Sequence, residues 1–284
     1  MPPVKVTALI ENTCCPGVEG VTAEHGLSLY VEHAGTRLLF DTGASGAFAD
    51  NARRLGVDLG AVDVAVLSHH HYDHGGGLRR FLEINAHAPI YLRGPDVAEC
   101  HFRLLWKERD IGLDQALLRQ HAHRFHFVNE RTGIAPGATL LTTIERRYPE
   151  PRGNRNLYAV RGGQRVLDDF SHELVLVLHA ADGAVVFTGC SHHGILNMVA
   201  AVTQSFPGDV IKAVFGGFHL VLLPPFNFMA GSRHEVEGIA HELLRSSVQR
   251  VYTGHCTGAR AYDVLRGVMG ARLEYIATGR SVTV

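Results

Sequence analysis

Four times in this chain an apolar run drives into a glycine-flanked histidine or cysteine: "VAVLSHHHYDHGGG", "VVFTGCSHHG", "AVFGGFHL" and "RVYTGHCTG". Short runs of this kind, rich in valine and phenylalanine and closed by turn residues, predict buried strands. Strand ends in a packed sheet are rigid and can deliver side chains to one edge from distant parts of the sequence. A metal site whose ligands do not share one helix is commonly assembled in that way.

The first run is the richest. His69 and His71 are two residues apart and can point the same way on an extended segment. Asp73 and His74 lie just beyond, where the chain turns into Gly75–Gly77, and can face a second position. Two ions held side by side by such a loop would activate a shared water near neutral pH and steady the attacking and leaving oxygens. A histidine-rich stretch alone also fits an exposed polar loop. The glycine–histidine turns at later strand ends favour the metal reading.

The rest of the chain reads as mixed strands and helices. "VKVTALI" (Val4–Ile10), "LSLYVEH" (Leu27–His33) and "TRLLFDTG" (Thr36–Gly43) are strands, the last two joined as a hairpin. Phe48, Ala52 and Leu55 share one helical face, and "GGGLRRFLEINA" starts a helix directly after the histidines. "ELVLVLHAADGAVVFTGC" reads as a hairpin turning at Ala181–Gly183, and a last helix covers Ala259–Met269. One domain over residues 1–284 is expected, with the polar segment at 94–137 helical or irregular, either a lid or a plain surface insertion.

Of the 284 residues 46% are hydrophobic and 19% charged, enough apolar material for a substantial core. The net charge of −1 argues against a binder of phosphate backbones, and no apolar run is long enough to span a membrane. The N-terminus lacks a signal-peptide pattern, so a cytoplasmic protein is expected. The five cysteines, two of them adjacent and none in CxxC spacing, read as reduced thiols. A small-molecule substrate is the expected partner, with neither nucleic acid nor membrane; self-association is left open.

The string "SHHHYDHGGG" carries the H-x-H-x-D-H signature of the metallo-β-lactamase superfamily, and the chain resembles that family. The blocks "EHGLSLYVE", "LLFDTG", "FTGCSHHGILN", "GGFHL" and "TGHCTG" resemble one branch of it. That branch contains the dihydropterin–ribofuranosylaminobenzene 5′-phosphate synthases. The resemblance implies an α/β fold of the α+β type, a four-layer αββα sandwich with a dinuclear site at one edge. It implies that His69 and His71 hold a first ion with His192, and that Asp73 and His74 hold a second with His255. The two divalent ions would be zinc first, with manganese or iron as alternatives. Cys190 stands where a bridging carboxylate is usual; it either ligates zinc or supports the turn. His172, near Cys190, is a rival for the third position on the first ion. Asp41 of "LLFDTG" either hydrogen-bonds a ligand histidine or shapes the turn. His219 of "GGFHL" is free to face substrate, and Asp73 is the candidate for orienting the nucleophile or taking its proton.

The implied activity is that of a metal-dependent hydrolase or a pterin-transferring synthase, acting on a small phosphorylated, ester or lactone substrate. The alternative is a non-catalytic metal- or ligand-binding protein of the same fold. Arg152, Arg155 and Arg161 are candidates to receive a phosphate, although arginines in a solvated loop are common.

Overall fold

The computed structural model describes residues 3–94, 99–222 and 227–284. Its strands run in chain order as β1 (Lys5–Ile10), β2 (Ser28–His33), β3 (Thr36–Phe40), β4 (Val64–Val66), β5 (Ile90–Arg93), β6 (Glu99–Leu104), β7 (Lys107–Asp110), β8 (Phe125–Val128) and β9 (Thr132–Ala135). They continue as β10 (Ala138–Leu141), β11 (Leu157–Arg161), β12 (Gln164–Leu167), β13 (Val175–Ala180), β14 (Gly183–Phe187), β15 (Ile211–Phe215), β16 (Val248–Thr253), β17 (Leu273–Tyr275) and β18 (Ser281–Thr283). The helices are α1 (Ala47–Arg54), α2 (Tyr72–Gly75), α3 (Leu78–Ile84), α4 (Gln115–Gln120), α5 (Ile195–Ser205), α6 (Arg233–Arg245) and α7 (Ala259–Met269).

Two sheets of seven strands result, in the orders β18-β1-β2-β3-β4-β5-β8 and β17-β16-β15-β14-β13-β10-β9. Alternation along each strand decides which layer a side chain joins. Leu38, Phe40, Val64 and Val66 of the first sheet meet Leu176, Leu178, Val185 and Phe187 of the second in a shared inner core. The intervening Leu39 and Ala65 face outward, under Phe48 of α1, Phe81 of α3 and Leu117 of α4. Val177 and Val186 likewise face Met198 of α5, Leu243 of α6 and Leu265 of α7. Because both faces of each sheet are covered, its central strands are apolar throughout, which produces the uninterrupted runs in the sequence. The layers are those of an αββα sandwich.

The segment at 94–137 departs from the helical expectation. Residues 95–98 lie outside the described residues; from Glu99 onward the chain forms the hairpin β6–β7, then α4, then β8 and β9. The hairpin joins β11 and β12 in a third sheet of order β12-β11-β6-β7. Its strands are mostly exposed and so carry charged residues where a buried strand would carry valine, which hides their period of two. Among the described residues no helix is long and apolar enough to cross a membrane.

The glycine run after the histidines is required by close packing. A Cβ at Gly77 would overlap the carbonyl oxygens of Thr42 and Ser45, both backbone atoms of the β3–α1 connection. Gly77→Ala is expected to destabilise the fold by about 1–3 kcal/mol, as an overpacked contact does. Gly267, in the exposed face of α7, has nothing within 4 Å of an added Cβ. Gly267→Ala is expected to stabilise by roughly 0.5–1 kcal/mol. Urea unfolding of both variants tests the pair, and equal effects would refute the packing argument.

Candidate metal centre

The parallel pairings β3–β4 and β14–β15–β16 align the C-terminal ends of these strands. Asp41 follows β3, Ser68–His71 follow β4, Cys190 and His192 follow β14, His219 follows β15 and His255 follows β16. Asp73 and His74 sit on the single turn of α2. Asp41, Ser191, His219 and His255 all have φ between 47° and 62°, the left-handed region that non-glycine residues avoid. Strain of that kind is held in place only where the surroundings over-determine it.

Hydrogen bonding sets the tautomers. His74 Nδ1 donates to Asp41 Oδ2 at 2.6 Å, His192 Nδ1 to Asn154 Oδ1 at 3.0 Å, and His255 Nδ1 to Asn12 Oδ1 at 3.0 Å. Ser68 Oγ gives its proton to Asp41 at 2.7 Å, so it accepts from His69 Nδ1 at 2.9 Å. Each of these four rings therefore turns an Nε2 lone pair inward. The lone pairs converge. His74 Nε2 lies 3.1 Å from Cys190 Sγ and 3.2 Å from His255 Nε2, and His69 Nε2 lies 3.1 Å from His71 Nδ1. His192 Nε2 is buried and has no partner among the described residues. So many lone pairs gathered together, that of His192 Nε2 without any partner among the described residues, suit a divalent cation.

The donor atoms fall into overlapping sets, each within 4.8 Å: His69, His71 and Asp73; His69, Cys190 and His192; Asp73, His74, Cys190 and His255. The six residues expected to hold two ions are thus brought together, and Cys190 belongs to two of the sets. Asp41 lies fully buried behind His74 and also accepts the Ser68 amide at 2.7 Å. His172 does not complete the first set. Its Nδ1 accepts the His70 amide at 3.1 Å and its Nε2 donates to Asp168 at 3.0 Å. Arg152 and Arg161 are ion-paired with Glu235 and Asp169, so a phosphate would have to compete with a carboxylate at either.

Several residues at the centre were not singled out from the sequence. His25 Nε2 lies 3.3 Å from Asp73 Oδ2; its glycine neighbour was the one available cue. Glu11 accepts the His255 amide, and Glu173 accepts the amides of His192 and His193 at 2.7 and 2.9 Å. Both glutamates are buried at the edges of apolar strands, where an acid is out of place unless it has such work.

A cavity of about 670 Å³ opens over these donors, lined among others by His25, Tyr72, Phe102, Ile111, Leu157 and His219. Phe102 and Leu157 come from the third sheet, which therefore forms one wall of the cavity. Burial, and then neighbouring imidazoles, hold His69 and His192 well below the usual histidine range and push His71 down to about 3. Burial opposes ionisation of Asp73, but the imidazoles of His25 and His255 outweigh it and keep the carboxyl ionised. Burial also lowers His74, yet Asp41 outweighs it and the net direction is upward. Burial, then the neighbouring Cys256 sulfur, raises Cys190.

Comparison with known proteins shows the family and the fold. The family described as the metallo-beta-lactamase superfamily matches residues 21–241. A protein of Methanocaldococcus jannaschii, 7,8-dihydropterin-6-methyl-4-(beta-D-ribofuranosyl)-aminobenzene-5'-phosphate synthase, is 27% identical over 273 residues, 92% of this chain and 90% of that one. The crystal structure of Tm1679, a metal-dependent hydrolase of the beta-lactamase superfamily, matches with a TM-score of 0.82 at 30% identity over 99% of both chains. Zinc-bound PqqB of Methylobacterium extorquens matches at 12% identity and a TM-score of 0.55, over 99% of this chain and 100% of that one. That last likeness shows the fold alone.

The buried imidazoles make the metal-free protein acid-sensitive. Unfolded, His71 takes a proton as pH falls through its ordinary value of 6.5; folded, it resists until about 3. Within that window the unfolded chain binds more protons, so lowering the pH removes stability. His69, His70 and His192 act in the same sense, and His74 opposes them. The melting temperature of chelator-treated protein is therefore expected to fall steadily from about pH 7 to about pH 5, and an unchanged value across that range would contradict the burial argument.

Proposed function

The chain belongs to the metallo-beta-lactamase superfamily, and from that premise we propose that it is a metal-dependent enzyme using two divalent ions on a small phosphorylated, ester or lactone substrate. The reading is carried by one observation: donors from the ends of β4, β14 and β16 converge in overlapping sets, two of which share Cys190, beneath the cavity. His69, His71 and His192 would hold one ion, Asp73, His74 and His255 the other, with Cys190 between them. A soft thiolate in a set otherwise made of imidazole and carboxylate favours zinc. When bound, the ions supply Lewis-acid polarisation of the reacting oxygen and neutralise the charge that develops there.

The chain's own residues do the rest. Asp73, kept ionised by His25 and His255, is the group that orients a nucleophile and holds its proton. His219 lines the cavity with its Nδ1 buried and without a partner among the described residues, placed to donate a proton or contact an anion. Tyr72, Phe102, Ile111 and Leu157 exclude water around the substrate and orient its apolar body. Hydrolysis and group transfer use the same parts; the similarity to the dihydropterin synthase supports transfer, and that to Tm1679 supports hydrolysis.

Metal content by plasma mass spectrometry, on protein reconstituted with zinc and desalted, tests the reading. Two equivalents per chain are expected, with about one lost in His192→Ala and a loss also in Cys190→Ala. Asp73→Asn is expected to lower kcat by about 10²–10⁴-fold in a phosphoester and lactone screen, the range for a lost acid–base group. Wild-type protein that retains only trace metal would overturn the proposal. Two bound zinc ions with no turnover across the screen would favour the non-catalytic binding protein.

A further inference from the structure

Behind the metal-facing side of His71 lies a second buried group of polar side chains. His71, Cys100, Asp168 and His172 each bring a ligating atom within 4.8 Å of the others, and all four residues are buried. The group is not a ligand set of its own. His172 Nδ1 accepts the His70 amide, so the proton of that ring is on Nε2, where it is donated to Asp168. No lone pair of His172 is left for an ion.

His71 has the opposite problem. Its Nδ1 meets His69 Nε2 at 3.1 Å, while its Nε2 is buried with no partner among the described residues. Without metal, a proton on Nδ1 can bridge the two rings. An ion held by both rings displaces that proton, and the one proton of a neutral His71 must then sit on Nε2. A buried N–H needs an acceptor. Asp168 is the carboxylate of the group; its Oδ1 accepts the Phe170 amide at 2.8 Å and its Oδ2 takes the His172 proton, leaving lone pairs on both oxygens.

We propose that Asp168, oriented by His172 and within 4.8 Å of a ring nitrogen of His71 but not hydrogen-bonded to it in this structure, is a positioning residue for the metal centre: with an ion bound, it would accept the Nε2 proton of His71 and so fix the ring with Nδ1 toward the ion. The inference rests on the metal-dependent reading above. The same short segment steadies the neighbouring ligand. Phe170, held at φ 54°, stacks on His192 with ring centroids 4.3 Å apart and planes 1° from parallel, and Glu173 takes the His192 amide. Asp168 also ties the centre to the third sheet, since its amide donates to Leu157 O at 3.1 Å and Leu157 lines the cavity. Residues 168–173 thus brace two ligands from one side and the cavity wall from the other.

Zinc competition with a chromophoric chelator tests this on wild type, Asp168→Asn and Cys100→Ala. Asp168→Asn is expected to weaken one equivalent of zinc by about 10–100-fold, as loss of a ligand's hydrogen-bond partner does. Cys100→Ala, which removes a sulfur contact to His172 Nε2 at 3.8 Å but no hydrogen-bond partner of His71, is expected to bind zinc far closer to wild type than Asp168→Asn does. Equal zinc affinity in Asp168→Asn and wild type overturns the proposal, and so does an equal loss in Cys100→Ala. Should Asp168→Asn fail to fold, nitrogen-15 NMR of zinc-loaded wild type decides instead. A slowly exchanging His71 Nε2–H that appears on zinc loading supports the proposal, and its absence refutes it. Wild type that takes up no zinc overturns the metal reading itself and this inference with it.

Discussion

One fully buried carboxylate organises the centre. Asp41 accepts the amide and hydroxyl of Ser68 and the Nδ1 proton of His74, at 2.6–2.7 Å. These contacts fix the start of the histidine loop and its end against the same side chain. Ser68, with its proton committed to Asp41, then sets the tautomer of His69. A charge removed from water is tolerated only when its lone pairs are used in this way. Removing it would leave His69 and His74 without the bonds that turn their Nε2 atoms inward. The glycine run beside them allows the loop to approach the β3–α1 connection closely enough for these bonds to form.

The αββα layers explain why such a centre can be held rigid. Both sheets are buried on both faces, so the strand ends that carry the candidate ligands are fixed by packing. The third sheet has a different character. Its outer strands β7 and β12 are exposed along their length, and Leu105 and Trp106 at the hairpin turn are 72% and 82% exposed. A rigid floor of ligands thus faces a wall built from a more exposed element, and surface elements of this kind vary in sequence more readily than the core that supports them.

Much of this was legible in the residues. Continuous apolar runs announced the central strands, and H-x-H-x-D-H with recurring glycine–histidine turns pointed to the side chains that the fold gathers as candidate metal donors. Helix α7 begins and ends where its pattern does, between Gly258 and Gly270. The third sheet was not legible, since exposed strands need no apolar side chains and β6 and β7 read as polar. Nor could spacing reveal where His172 points. His172 and His192 both sit near Cys190 in sequence, but only the fold shows that one faces the donors and the other the back of His71. Glu11 and Glu173 escaped notice because their role is to hold backbone amides, which leaves no pattern along the chain.

The pairing of β18 with β1, Lys5 opposite Thr283, has a consequence for how the molecule comes into being. A ribosome releases the histidine loop well before Cys190, His192 and His255, and the first sheet waits for its edge until β18 has been made. Contacts so far apart in sequence close slowly. The nascent chain therefore carries an incomplete set of candidate metal donors until His255 has emerged. A site proposed to hold metal is therefore complete only once the end of β16 has been made and packed against the earlier strand ends.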